Sequence, residues 1–143
     1  MNEKETTLTL AKIPLFHQLS SRQLHNLACI AVPREYPAGT PIVKQGENGI
    51  GLFVVIDGAA EAIRTHANGE QIVVNTFGPG DFFGEMALID EGPRTASVVT
   101  TQTTRCLALV RWDFMSLLKT DTEMAVAILS ELTRRFRIML DVS

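Results

Sequence analysis

The spacing of apolar residues divides this chain into three zones of different period. Residues 7–31 read as helical. Pro14-Leu15-Phe16 predicts a short turn, and Ser20 or Ser21 is placed to cap a helix that carries Leu24, Leu27, Ala28 and Ala31 on one face. Residues 34–110 switch to short apolar runs broken by glycine and proline. These predict strands at Pro41–Lys44, Leu52–Asp57, Ala59–Thr65, Gln71–Phe77, Ala96–Thr100 and Arg105–Val110. Ile72, Val73 and Val74 favour strand because branched side chains pack well on a pleated surface. Asn68-Gly69 between two such runs predicts a hairpin, since both residues tolerate positive φ. From residue 111 the helical period returns. Trp112–Leu118 predicts a short segment, and Asp121 or Thr122 a cap. A longer helix then presents Ala125, Ile128, Leu129, Leu132, Phe136, Met139 and Leu140 on one face.

The expected fold is therefore α+β and mainly β. It is an antiparallel β roll, jelly-roll-like, over about 34–110, flanked by N-terminal helices and by two C-terminal helices over about 111–140. The recurrence of Gly46, Gly49, Gly51, Gly58, Gly78 and Gly80 at strand corners supports the roll. The 143 residues amount to one domain, 1–143.

Composition changes this picture little: 45% of residues are hydrophobic and 20% charged. The net charge of −3 argues against general nucleic-acid binding, which needs a basic face to displace counterions. The polar start Met1-Asn2-Glu3-Lys4-Glu5 lacks a signal-peptide core, and no apolar run reaches the roughly 18 residues of a membrane span, so a cytoplasmic location is expected. Cys29 and Cys106 sit in apolar patterns and are expected to be buried free thiols. His17, His25 and His66 are scattered and read as exposed or structural. No metal-ligand spacing, Walker loop or nucleophile elbow is present, so no metal, no cofactor and no catalytic residue is expected.

The chemistry concentrates in Gly78-Pro79-Gly80-Asp81-Phe82-Phe83-Gly84-Glu85-Met86-Ala87-Leu88-Ile89, followed by Pro93-Arg94-Thr95-Ala96. A short helix is expected to start after Gly84, where a helix N-terminus would offer unpaired amides to an anion. Leu88 is the firmest core residue there, with Met86 and Ile89 also expected to pack inward. A carboxylate at Glu85 would repel an anion unless it has another task, such as accepting from a hydroxyl. The Arg94 guanidinium presents fixed paired donors suited to two phosphate oxygens.

This stretch resembles the phosphate-binding cassette of the cyclic nucleotide-binding domain family, and the order of elements from about Ile13 onward is similar to that family's. The resemblance implies a ligand-binding set of Gly84, Glu85, Met86, Ala87, Arg94, Thr95 and Ala96. It makes Glu85 the acceptor of the ribose 2′-hydroxyl and Arg94 the partner of the cyclic phosphate, with amides at Ala87 and Thr95 donating to that phosphate. The ligand it implies is cyclic AMP or cyclic GMP, with cyclic AMP preferred; Thr95 alone does not choose the base. One of Arg134, Arg135 and Arg137 could stack on the purine.

The expected function is a non-enzymatic sensor that signals through rearrangement of the cassette and of the C-terminal helix. Its expected partners are the nucleotide, an unidentified downstream protein, and a second copy through the 121–140 helix. The alternative is the effector half of a regulator resembling catabolite activator protein without its DNA-reading part. The chain stops at Ser143 with no helix-turn-helix after the long helix, which favours the sensor whose output partner lies elsewhere.

Overall fold

The computed structural model describes residues 1–142, and its backbone falls into two compact units. Residues 32–111 form one of them. It holds eight antiparallel strands: β1 (Val32–Tyr36), β2 (Pro41–Val43), β3 (Gly51–Asp57), β4 (Ala60–Thr65), β5 (Gln71–Phe77), β6 (Phe82–Phe83), β7 (Ser97–Thr100) and β8 (Thr104–Val110). They pair as two four-stranded sheets, ordered β1-β8-β3-β6 and β2-β7-β4-β5. The core lies between them. Phe53, Val55, Phe83, Cys106 and Ala108 from the first sheet pack with Ala60, Ala62 and Val98 from the second. Phe53 and Phe83 stack at 5.3 Å, and Phe77 tilts against Phe83 at 5.1 Å. The mainly-β, jelly-roll-type architecture expected from the glycine-punctuated runs is the one observed.

Two strands went unread in the sequence. β1, Val-Pro-Arg-Glu-Tyr, lies at a sheet edge with four of its five residues exposed, so it shows no apolar alternation. β6 is only two residues long and pairs Phe83 with Phe53. The predicted hairpin is present. His66 N–H donates to Glu70 O at 2.8 Å, and Gly69 sits at φ 88. Its second strand, β5, is almost wholly exposed, Ile72, Val73 and Val74 included.

The other unit combines residues 1–31 with 112 onward. It contains α1 (Glu3–Ala11), a 3-10 turn at Pro14–Phe16, α2 (Ser21–Ile30), most of α3 (Arg111–Thr120) and α4 (Thr122–Val142). Phe16 and Phe114, both fully buried, meet at 6.0 Å. Ser20 is the cap of α2. Its Oγ accepts from Gln23 N–H at 3.2 Å, and Gln23 Oε1 accepts from Ser20 N–H at 2.9 Å. Asp121 caps α4 by accepting from Met124 N–H at 3.0 Å. α1 begins earlier than the expected helical zone because Asn2 Oδ1 accepts from Glu5 N–H at 2.9 Å and starts the helix within the charged segment.

The inward face of α4 also differs from expectation. Met124, Ile128 and Glu131 are buried, whereas Leu129, Phe136, Met139 and Leu140 are exposed. A buried carboxylate lies on that inward face. Glu131 accepts from Gln18 Nε2 at 3.1 Å and from Arg134 Nε and Nη2 at 3.0 and 2.6 Å. These bonds, Arg134 foremost, hold its carboxyl down at about 2. Cys29 is exposed, contrary to expectation, since α2 turns Gln23 and Leu27 inward instead. Cys106 is buried as expected, and desolvation pushes its thiol up to about 11. Among the described residues no helix is long and apolar enough to cross a membrane.

Candidate functional site

The site is built on two loops of the β unit held side by side. Arg94 N–H donates to Glu47 O at 2.8 Å, and Gly46 N–H donates to Arg94 O at 2.9 Å. Asn48 and Pro93 form an isolated antiparallel bridge beside them. Gln45 extends the brace. Its N–H donates to Ser97 Oγ at 2.9 Å, while its side chain takes Thr65 N–H at 2.7 Å and gives to Thr65 O at 2.9 Å. The Arg94 backbone is therefore fixed from both sides before any ligand is considered.

The Arg94 side chain runs into a cradle made by two glycines. A Cβ on Gly84 would fall 2.6 Å from Nη1 and 2.7 Å from Nη2 of Arg94, and 2.4 Å from Gly51 O. On Gly49 it would fall 2.7 Å from Arg94 Nε and 2.8 Å from the Ala87 Cβ. Gly84 also has φ 82, a left-handed conformation that any other L-residue enters at a cost of roughly 1–2 kcal/mol. Only glycine meets both demands there.

Within the cradle Arg94 Nη2 donates to Gly51 O at 2.8 Å. Its Nε is buried and, among the described residues, makes no hydrogen bond. Burial pushes the guanidinium below the ordinary arginine range, as desolvation of a cation must. A half-buried cation with an unspent buried donor favours an incoming anion, which replaces the lost hydration.

Glu85 opens the 3-10 turn Glu85–Leu88 and is buried, with 7% of its surface exposed. Gly84 therefore sets two neighbours at once: its own backbone packs on the guanidinium, and the next residue directs a carboxylate inward. Leu88 and Ala87 are buried, as expected of Leu88. Met86 and Ile89 are exposed, at 59% and 38%, contrary to the expected inward packing. A 3-10 turn has three residues per turn, so only part of the stretch faces the core. The same geometry engages one predicted donor, because Ala87 N–H gives to Gly84 O at 3.0 Å.

Thr95 is exposed and Ala96 half-buried, and Arg64 Nε donates to Thr95 O at 3.4 Å. All seven candidate residues thus lie on the 84–87 turn or the 94–96 loop, and Gly84, Ala87 and Arg94 form one cluster with Gly49. The remaining candidates, Arg134, Arg135 and Arg137, belong to the helical unit, where Arg134 is committed to Glu131.

Three further residues contribute to the site: Gly49 and Gly51, expected only as strand corners, and Arg111. Gly49 and Gly51 bracket Ile50 immediately before β3, and that Gly-x-Gly was the signal available. Arg111 carried none. Its Nη1 donates to Gly49 O at 2.7 Å and its Nη2 lies 3.4 Å from Glu91, so it anchors the loop that forms the cradle wall. Loop 90–92 is shaped by Asp90 Oδ1, which accepts from Gly92 N–H at 3.2 Å.

The family model of the cyclic nucleotide-binding domain matches residues 33–121. The chain is similar to the cyclic AMP receptor protein of Thermus thermophilus, with 39% identity over 87% of this chain and 57% of that protein. It is 37% identical to the cAMP-dependent protein kinase regulatory subunit of Mycosarcoma maydis over 66% of this chain and 18% of that one. Each match spans less than two thirds of the relative's length. In structure it resembles the N-terminal domain of a transcriptional regulator from Streptomyces coelicolor A3(2). There the TM-score is 0.86 and the identity 31%, over 93% of this chain and 95% of that domain.

Proposed function

The chain belongs to the cyclic nucleotide-binding domain family, and from that premise we propose that it binds cyclic AMP at the Arg94 cradle and acts as a regulatory sensor. The observation that carries this reading is the half-buried Arg94 guanidinium, packed on Gly84 and Gly49 with a buried Nε left without a hydrogen bond among the described residues. An anion with two non-bridging oxygens supplies the missing acceptors. Each charge-assisted bond contributes about 1.5–3 kcal/mol net. Glu85 accepts from the ribose 2′-hydroxyl. Met86, Thr95 and Ala96 complete the pocket rim, and the Thr95 amide donates to the phosphate. The Ala87 amide joins them if the turn relaxes its bond to Gly84.

The roles of Glu85 and Arg94 are recognition only: one accepts a hydrogen bond and the other neutralises charge, and neither requires a bond in the ligand to break. Two relatives bear names that specify cyclic AMP, a receptor and a kinase regulatory subunit, which supports cyclic AMP over cyclic GMP and a regulatory over a catalytic role. A cytoplasmic location and an unidentified downstream protein complete the proposal. The signal passes from the cassette to α4 as a population shift, driven by contacts that exist only with ligand bound.

A second copy is the further partner. Val126, Leu129, Thr133 and Phe136 follow the 3-4-3 spacing of a coiled-coil seam, and the three apolar members are more than half exposed. An alternative, the effector-binding half of a regulator resembling catabolite activator protein, is supported by the match along 95% of the Streptomyces domain. Calorimetric titration with cyclic AMP and cyclic GMP tests the ligand. Tighter binding of cyclic AMP is expected, and failure to bind either nucleotide would remove the proposal. The mass of the native protein in its own cell separates the stand-alone sensor from the longer regulator.

A further inference from the structure

The exposed face of α2 carries a chemistry that the nucleotide site does not use. His25 and Cys29 are one helical turn apart, so their side chains rise from the same face, and Sγ of Cys29 lies 3.9 Å from Nε2 of His25. Across from them, in the first turn of α1, Glu3 pairs with His25 Nδ1. One ligand atom from each of the three lies within 4.8 Å of the others. All three are exposed, and Glu3 and His25 share a recess with Lys4 and Ser21.

We propose that Glu3, His25 and Cys29 form a site for a zinc-like divalent transition metal. The donor set decides the class of ion. A thiolate with an imidazole and one carboxylate oxygen suits Zn²⁺, whereas Mg²⁺ and Ca²⁺ take oxygen ligands. The spacing is close to what the ion needs. Bond lengths of about 2.0–2.3 Å place tetrahedral ligands roughly 3.3–3.8 Å apart. Atoms that lie within 4.8 Å of one another need to close by about 1.5 Å at most, and because Glu3 meets Nδ1 of His25 while Cys29 meets Nε2, the exposed side chains must also rotate to bring both donors to one ring nitrogen's side.

On binding, Cys29 releases its proton to solvent, and the thiolate, one imidazole nitrogen and one carboxylate oxygen displace all but one of the waters that the free ion carries. A water keeps the fourth position, as in sites with three protein ligands. The bound ion ties the first turn of α1 to the C-terminal half of α2, a contact otherwise made by the Glu3–His25 pair. The site requires neither Glu85 nor Arg94, so it stands or falls independently of the nucleotide reading.

The test is titration of the untagged full chain with Co²⁺ and then Zn²⁺, under a non-thiol reductant, on wild type, Cys29→Ser, His25→Ala and Glu3→Gln. One Co²⁺ per chain is expected, with a near-ultraviolet thiolate-to-cobalt charge-transfer band that Zn²⁺ abolishes by displacement. Cys29→Ser should eliminate the band, and His25→Ala and Glu3→Gln should each weaken binding at least about tenfold, the scale of losing a ligand or its support. Zn²⁺ should also raise the Tm of wild type but not of Cys29→Ser. Absence of the band in wild type, or its survival in Cys29→Ser, would overturn the proposal. So would unchanged affinity in both His25→Ala and Glu3→Gln.

Discussion

A Cβ on Gly84 would stand 2.6 Å from Nη1 of Arg94, so the absence of a side chain at residue 84 is what gives the guanidinium at residue 94 its place. The two residues are ten apart in sequence and lie on different loops. Their fit explains why a glycine break must precede the 85–88 turn: the backbone itself forms one wall of the cation's cradle.

Gly84→Ala is accordingly expected to lose twice over. The left-handed φ of 82 costs about 1–2 kcal/mol of stability, and the displaced guanidinium should weaken nucleotide binding at least about tenfold. Chemical denaturation and calorimetry on the same variant read the two losses separately. Unchanged affinity would mean that the cradle does not position Arg94.

Glu85→Ala should leave the phosphate interaction in place and remove the discrimination between ribose and 2′-deoxyribose. Wild type should bind cyclic AMP about 10-fold or more tighter than 2′-deoxy cyclic AMP, on the scale of one hydrogen bond to a charged group. In the variant the two ligands should bind alike, as measured by competition titration. A ratio preserved in Glu85→Ala would assign the hydroxyl to another residue.

Glu131 predicts an acid-sensitive helical unit. Its folded carboxyl is held at about 2, below the ordinary carboxylate value of 4.5, chiefly by Arg134. A depressed carboxyl contributes stability that is complete above the unfolded pKa and disappears as pH falls from about 4.5 through about 2. Denaturation curves across that window should show wild type losing more stability than Glu131→Gln. At neutral pH Glu131→Ala should be less stable than wild type by about 1–3 kcal/mol, because Gln18 and Arg134 lose their common acceptor. Parallel pH curves for wild type and Glu131→Gln would contradict this role.

Leu129→Glu tests the seam on α4. Leu129 is 63% exposed at the centre of the Val126–Phe136 spacing, so a charge there should convert a dimer to a monomer while nucleotide affinity persists. Light scattering with and without cyclic AMP gives the mass. A wild-type monomer under both conditions would remove the dimer.

Much of this was legible in the sequence, for identifiable reasons. The roll was readable because β3 and β8 are continuous apolar runs and because glycines mark the corners. β1 was not, since an edge strand with exposed Arg34 and Glu35 carries no alternation. At the site, Glu85 and Arg94 stood out by spacing and charge, whereas Gly49 and Arg111 act through tertiary contacts from 45 residues upstream of Arg94 and 17 downstream of it. The inward face of α4 is not legible in the sequence because Glu131, a charged residue, is among its most buried, and polarity alone places such a residue outside. Cys29 differs for the converse reason: its apolar neighbours suggest burial that α2 gives to Gln23 and Leu27.

The central claim is that Arg94 binds the phosphate of a cyclic nucleotide, and paired calorimetric titrations of cyclic AMP into wild type and Arg94→Ala test it most directly. Loss of two charge-assisted bonds of about 1.5–3 kcal/mol each predicts a drop in affinity of about 10²-fold or more. The variant should remain folded, because the lost side chain is a half-buried cation and not a packed apolar group. Equal affinity in the two proteins, or a wild type that takes up no cyclic AMP, would contradict the account.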